Sequence, residues 1–352
     1  MKELLIINKY QFGYHTTYYK YCEYLRNDFK ITFICFDVGL KKLEMHGVEI
    51  KYISHKGPTF LRGLRYIINV LLLINKFKGE IFVHHFDHCS ILKKIYPKRK
   101  MILDFRSQSI HPIPHIRKRA NQKMRRDALS FDFTTIITEG VRNCLNLVEN
   151  KTAILPIGSD VISKTDKVFD YLRLVYVGSL DGRNIEDTIN GVFLFKKNNP
   201  NIKITYNIIG DGSSLIKLKN LVRKLNLGEV IFLHGRIPHF EIEPYFASAN
   251  IGVSYIPMTD HYDIQPPTKT YEYILSGIPC IATNTSENKK LINNTNGVLC
   301  NDSSTDFANA IYETYNNLEN FNSNDIRLTL KDSTWEKIVK NYLKPILLNN
   351  EN

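Results

Sequence analysis

Short apolar runs alternate with longer amphipathic stretches along the first half of the chain, stop at a polar segment, and then begin again. The first series predicts strands at 4–8, 31–36, 49–53, 81–84, 101–104 and 134–138, with helical patterns at 18–27, 64–78 and 117–129 between them. Runs this short are strand length, whereas the amphipathic stretches repeat at the helical period. After Ile154-Leu155-Pro156-Ile157-Gly158-Ser159-Asp160 the chain stays polar to Asp170 without a sustained period, which reads as a linker. The second series predicts strands at 172–177, 202–209, 230–234, 251–255 and 280–282, and helices at 185–198, 214–225, 238–248 and 270–276. Such alternation implies parallel sheets covered by helices on both faces. The fold class is α/β, with two doubly wound, Rossmann-like domains at 1–160 and 161–334. A last helix begins at Thr334-Trp335-Glu336 and runs over 335–352. The active site of such a pair is expected in a central cleft, at the carboxyl ends of the strands.

A length of 352 residues suits two domains of about 150 each. The six cysteines are scattered and form no CxxC pair, so neither a disulfide framework nor a structural zinc site is expected, and reduced thiols in a cytoplasmic protein are. The apolar run at 1–7 breaks at Asn8-Lys9, too early for a signal peptide. The run at 66–74 contains Asn69 and is far short of the roughly 20 residues a membrane span needs. The formal charge of +12 is unevenly placed. Residues 1–160 hold 27 Lys and Arg against 14 Asp and Glu, while 161–352 hold 20 against 21. Dense basic pieces lie at 93–100 and 117–126. This asymmetry points to an anionic surface, whether phospholipid headgroups, a pyrophosphate-linked substrate or nucleic acid; a merely solvated basic face is the plainer reading. Basic and aromatic residues are not interleaved and no nucleic-acid reader motif is present, so nucleic acid is not an expected partner. The Arg-flanked apolar stretch 61–68 fits a membrane surface better.

The densest chemistry lies in Gln265-Pro266-Pro267-Thr268-Lys269-Thr270-Tyr271-Glu272-Tyr273-Ile274-Leu275-Ser276-Gly277-Ile278-Pro279. Pro267 is placed to open a helix and Ser276-Gly277 to end it. The free amides of a helix start, together with Lys269, make an anion site fit for a diphosphate. Glu272, one turn further in, is placed to accept hydrogen bonds from two adjacent ribose hydroxyls. The competing reading is a plain helix cap with a solvent-facing Lys and Glu.

Pro-x-Lys-x-x-Glu-Tyr, followed by Gly-x-Pro and an apolar strand, resembles the donor-binding signature of retaining GT-B glycosyltransferases, family four (glycosyl transferases group 1), which build capsules, O-antigens and other bacterial glycans. The resemblance implies that Glu272 binds the donor ribose and that Pro267, Thr268 and Lys269 meet the diphosphate. An earlier Glu is usual eight positions before the ribose Glu; here Ile264 stands there, with Asp263 beside it as a substitute. Val177-Gly178-Ser179-Leu180-Asp181-Gly182-Arg183 resembles the segment whose two cations hold the pyrophosphate. Ser179 replaces the usual Arg, so Arg183 and Lys269 are expected to share the charge neutralisation. Gly210-Asp211-Gly212 is similar to the family's Gly-x-Gly turn, which implies that Gly210 and Gly212 meet the donor, and Arg236-Ile237 falls where the backbone reads the base.

In the first half, Gln11-Phe12-Gly13-Tyr14-His15 occupies the place of a Gly-rich loop near the donor phosphate. Leu103-Asp104-Phe105-Arg106 resembles the segment lining the acceptor side, with Asp104 as a catalytic candidate. A zinc site from His84, His85, His88 and Asp87 is the rival reading, but adjacent strand histidines point to opposite faces. The resemblance also implies that the 335–352 helix packs back onto the first domain. It implies a hexosyl-type transferase that moves a sugar, with retention and without metal, from a nucleotide-sugar donor. A UDP-sugar is favoured and a GDP-sugar is the alternative. The implied acceptor is a glycan or a polyprenyl-diphosphate-linked oligosaccharide. No cofactor beyond the nucleotide-sugar co-substrate is expected, and the protein is expected on the inner face of the cell membrane or free in the cytoplasm. A UDP-sugar 2-epimerase shares the architecture, and a non-catalytic nucleotide-sugar-binding or nucleic-acid-binding protein is the reading from another class.

Overall fold

The computed structural model describes residues 1–348, so the last four residues of the expected closing helix lie outside the described residues. The chain divides into two compact units, one comprising Met1–Gly158 with the chain from Trp335 onward, the other Ser159–Thr334.

The first unit has strands β1 (Lys2–Ile7), β2 (Phe29–Asp37), β3 (Val48–Ser54), β4 (Glu80–His84), β5 (Ile102–Phe105), β6 (Phe133–Ile136) and β7 (Thr152–Ile154). They form one sheet in the order β3-β2-β1-β4-β5-β6-β7, and every neighbouring pair is parallel. Its helices are α1 (Thr16–Leu25), α2 (Thr59–Lys76), α3 (Ser90–Ile95), α4 (Pro114–Ala128) and α5 (Glu139–Cys144). Leu4, Leu5, Ile6 and Ile7 are all buried, as a strand covered on both faces requires. The chain from Trp335 runs through a π-helical stretch at Val339–Leu343. It buries Trp335, Leu343 and Leu347 in the same cluster as Tyr21 and Leu25.

The second unit carries β8 (Leu172–Val177), β9 (Ile204–Ile209), β10 (Ile231–Gly235), β11 (Ile251–Ser254), β12 (Cys280–Thr283) and β13 (Gly297–Cys300) in the order β10-β9-β8-β11-β12-β13. This sheet is also parallel throughout. Its helices are α6 (Ile185–Asn198), α7 (Leu215–Lys224), α8 (Glu243–Ser248), α9 (Asp260–Asp263), α10 (Thr268–Leu275), α11 (Ser286–Leu291), α12 (Ser304–Asn316) and α13 (Ser323–Thr329). Strand order reverses between β1 and β4 in the first sheet and between β8 and β11 in the second. In open α/β sheets, ligands sit at such points, beyond the carboxyl ends of the strands.

Proline accounts for several departures from the expected helices. Pro58 caps α2 and Pro114 opens α4, so both start earlier than their apolar periodicity suggests. The pattern at 238–248 is a 3-10 turn at His239–Glu241 followed by α8, because Pro244 is tolerated only in a first turn. The expected linker is not a loose spacer. The Ile162 and Ser163 amides donate to Ser276 Oγ at 3.1 and 3.2 Å. The buried Lys167 ammonium donates to the Phe246 carbonyl at 2.8 Å, and burial pushes its pKa down to about 8.

Candidate functional site

Helix α10 is set into the second unit by three anchors. Tyr273 Oη accepts the Val177 amide at 2.9 Å. The Tyr273 ring fills the space that a side chain at Gly252 would need. The wholly buried Thr270 hydroxyl is hydrogen-bonded to Ser254 Oγ at 2.7 Å and Asn288 Oδ1 at 3.0 Å. These contacts hold the first turn of α10 at the β8/β11 reversal. Its cap residue, Pro267, supplies no side-chain hydrogen bond to the first-turn amides, and Thr268 is exposed.

Two cations lie at this end of the sheet. Lys269 Nζ is 3.7 Å from the centre of the Tyr176 ring, out of solvent reach and without a hydrogen-bond partner. An added Cβ at Gly178 would come within 2.9 Å of that nitrogen, so the absence of a side chain there leaves the ammonium room. Burial, then the Arg183 charge, lowers the Lys269 pKa to about 7, against the opposing pull of Glu272. Arg183 rests on the Tyr262 ring at 4.3 Å. Desolvating a cation without pairing it costs several kcal/mol unless something compensates. The arrangement is that of a site whose counter-ion is a ligand.

The turns around the cations interlock. Gly178 has φ +151° and donates its amide to Ile209 O at 3.0 Å. A side chain at Gly210 would meet Gly178 O at 1.9 Å, so the β8 and β9 turns approach as only glycine allows. Ser179 is exposed, and its carbonyl accepts the Tyr176 hydroxyl at 2.6 Å. The turn at Gly212, expected to open onto the donor, is occupied from within. Asp181 accepts the amides of Ser213 and Ser214 at 2.8 and 2.9 Å and the Ser214 hydroxyl at 2.7 Å. These bonds, the Ser214 hydroxyl's first, hold its carboxyl down to about 2. The start of α7 therefore already has an anion of its own, supplied by this chain.

Glu272 is largely shielded, and its carboxylate lies 3.6 Å from His239 Nε2. Arg236 is exposed and Ile237 half-buried, just past β10. Asp263 accepts the Ser286 amide and hydroxyl at 2.7 and 2.5 Å. It serves as a cap for α11, a task that competes with the sugar contact expected of it. Sequence reasoning passed over Tyr176, Tyr262, Asp181 and His239. Only Asp181, in Leu-Asp-Gly, carried a local signal, that of a turn-and-cap residue.

At the β1/β4 reversal the first unit has a cavity of about 680 Å³, lined by Tyr10, Gln11, His84, Phe86 and Arg106 among others. His15, His84 and Tyr18 form an aromatic cluster beside it, with ring centres 4.8–5.1 Å apart. Burial lowers the pKa of His15 to about 4 and that of His84 well below the ordinary range, so both imidazoles are neutral at pH 7. Gly13, at φ +89°, lies against Leu43, which fills the space a side chain would need. Asp104 requires a correction. It is wholly buried and bonded to Tyr18 Oη at 2.5 Å, Thr135 Oγ1 at 2.6 Å and Arg106 at 3.4 Å. No substrate reaches it, so it is a positioning residue that fixes Tyr18 and Arg106.

The rival histidine chelate does not assemble either: Asp87 is paired with Lys123 at 3.0 Å and His88 is exposed. Among the described residues, the group that brings potential ligand atoms together is His85, Cys89 and Asp127, within 4.8 Å of one another. His85 is already hydrogen-bonded to Asp127 at 3.1 Å, and burial pushes the Cys89 thiol up to about 12. The trio is a His–Asp pair beside a protonated thiol.

Two parallel doubly wound units in one chain make up the GT-B fold. Solved structures carry this fold over nearly the whole chain. A sucrose-phosphate synthase from Thermosynechococcus elongatus is 15% identical, with TM-score 0.76, covering 99% of this chain and 100% of that one. The apo lipopolysaccharide outer core galactosyltransferase WaaB is also 15% identical, with TM-score 0.73 and the same coverage. HepE of Anabaena, in complex with UDP and glucose, is 12% identical, with TM-score 0.77, covering 98% of this chain and 99% of that one. No curated protein sequence matches the chain. Residues 172–317 match the family model described as Glycosyl transferases group 1. Most of the second unit thus matches the group 1 glycosyltransferases, and the chain as a whole has the fold of these solved structures.

Proposed function

We propose that the protein transfers a hexosyl group, with retention, from a UDP-sugar to a glycan or polyprenyl-diphosphate-linked oligosaccharide in the synthesis of a capsule, O-antigen or exopolysaccharide. It would do so in the cytoplasm or against the inner face of the membrane. The observation that carries this reading is the unpartnered Lys269 ammonium, set against Gly178 with Arg183 close enough to depress its pKa. A diphosphate meets both needs of that site, supplying the missing acceptors and the missing negative charge. Charge on the leaving diphosphate grows as the glycosidic bond breaks. Two fixed cations and the α10 first turn therefore stabilise the transition state more than the ground state, without calling on a metal ion. Glu272, three residues after Lys269 on the same helix, would take the donor ribose. That HepE was solved with UDP and glucose favours uridine over guanosine.

Thermal shift against UDP-, GDP-, ADP- and CMP-sugars tests the reading directly. At 100 times its dissociation constant a bound donor stabilises by about 2.7 kcal/mol. Absence of any response would remove the argument. Glu272→Gln should weaken UDP binding about tenfold or more, as loss of a charge-assisted pair of hydrogen bonds does, while leaving the ligand-free Tm within about a degree. Equal affinity in the variant would take Glu272 out of the ribose site.

A further inference from the structure

We infer that the outward face of α2 is the surface by which the first unit docks on an anionic lipid bilayer. The inference deepens the reading above, resting on an acceptor that is lipid-linked. The inner side of α2 is accounted for, since Tyr66, Val70 and Ile74 are buried. The opposite side should be polar in a helix that faces water. It is not. Leu61, Leu64, Ile68 and Leu72 are 51%, 46%, 46% and 59% exposed, and Phe60 at the start of the helix is 77% exposed. At the helical step of about 100° per residue, those four aliphatic side chains fall within an arc of about 80°, centred about 160° from the buried one. The helix is thus apolar on two opposed sides. Among the described residues no helix is long and apolar enough to cross a membrane, so this one is suited to lying in the interface.

Charge selects the occupant. Helix α2 contains Arg62, Arg65 and Lys76 and no acidic residue, and the Arg65 guanidinium is held at the helix edge by the Ser54 and Lys56 carbonyls at 3.0 and 3.1 Å. Beside it, Tyr96 Oη donates to Leu71 O at 3.1 Å, tying the end of α3 to α2. There Ile95 is 47% exposed, next to Lys94. An apolar stripe rimmed by cations, on the half of the chain that carries 13 excess positive charges, is repelled by a second copy of itself and attracted by anionic headgroups. The first turn of α2 also contributes Thr59, Arg62 and Gly63 to the cavity wall. Seating the helix in the headgroup layer brings that wall to the depth of a lipid-borne pyrophosphate.

The test is co-sedimentation of the full chain with vesicles of phosphatidylglycerol and phosphatidylcholine in equal parts, and with phosphatidylcholine alone. Wild type should pellet with the first and much less with the second. The triple variant Leu64→Ser, Ile68→Ser, Leu72→Ser should lose about tenfold or more in partitioning. Its thermal shift with UDP should equal that of wild type, because the substitutions are solvent-facing and in the other unit. Failure of wild type to pellet, or equal pelleting of the variant, would overturn the inference. So would a concentration-dependent dimer that the variant dissolves, since the face would then belong to a second copy. Vesicle binding without any nucleotide response would uphold the surface and sink the donor reading instead.

Discussion

Replacing Lys269 by Met is expected to make the ligand-free protein more stable while lowering turnover by about 10²–10³, the usual cost of removing one fixed charge from a transition-state site. The stabilisation follows from burial. The ammonium is desolvated against Tyr176 with no hydrogen-bond partner, and a thioether of similar reach removes that penalty. Exchanging an uncompensated charge for a packed apolar group is worth about 2 kcal/mol, or a rise of about 4–8 °C in Tm for a unit of this size. The pH dependence has a definite sign. Between about 7 and the ordinary lysine value of 10.5, the unfolded chain holds a proton that the folded chain has released, so native stability rises with pH across that window. The Met variant should lose that slope, and its advantage should be greatest at pH 7 and below. Donor binding runs the other way. It needs the ammonium, so above pH 7 it takes up a proton, and affinity should fall by up to tenfold per pH unit. Calorimetry in buffers of different ionisation enthalpy would show the proton; a flat profile would mean that the donor phosphates lie elsewhere.

Asp104→Ala should be the most damaging single change in the first unit, by destabilisation rather than by lost chemistry. The carboxylate is the common acceptor for Tyr18, Thr135 and Arg106, and the Arg106 side chain is itself 7% exposed. Removing the acid leaves a buried guanidinium without its counter-charge, a defect of about 3–5 kcal/mol. Tm should fall by about 6–20 °C. The guanidinium keeps its bonds to the Leu155 and Pro156 carbonyls at 2.9 and 3.3 Å, which is why a folded fraction should survive to be assayed. Folded protein should retain most of its specific activity. A variant with unchanged Tm and no activity would return Asp104 to the catalytic residues.

The two sheets were legible because most strands are contiguous apolar runs and most connections carry a helical period; β1, with four buried residues in succession, is the plainest case. Strand β7 has only three residues, and β13 opens on Gly297 and offers just Val298 and Leu299 before Cys300, too little pattern to stand out. The segment proposed to hold the donor was legible for another reason. Pro267, Lys269, Glu272 and Gly277 are local to one helix, and local chemistry survives in a string of letters. What the string did not carry was partnership across the sheet. That Tyr176 would shield Lys269, that Asp181 would cap α7, and that Asp104 would be sealed beneath Tyr18 are contacts between residues 33–93 positions apart. Burial decided each of them, and burial is a property of the assembled unit.

Ser159 and Thr334 form a β-bridge, with the Ser159 amide donating to Ser333 O at 3.0 Å. The second unit therefore starts and finishes at one point and is an insertion into the first. This dictates an order of events during synthesis. By the time Trp335, Leu343 and Leu347 emerge from the ribosome, every residue of the inserted unit is already out and free to fold. Until then the patch formed by Tyr21 and Leu25 waits uncovered. A released chain truncated after residue 334 should display a finished second unit and an open, chaperone-prone first unit.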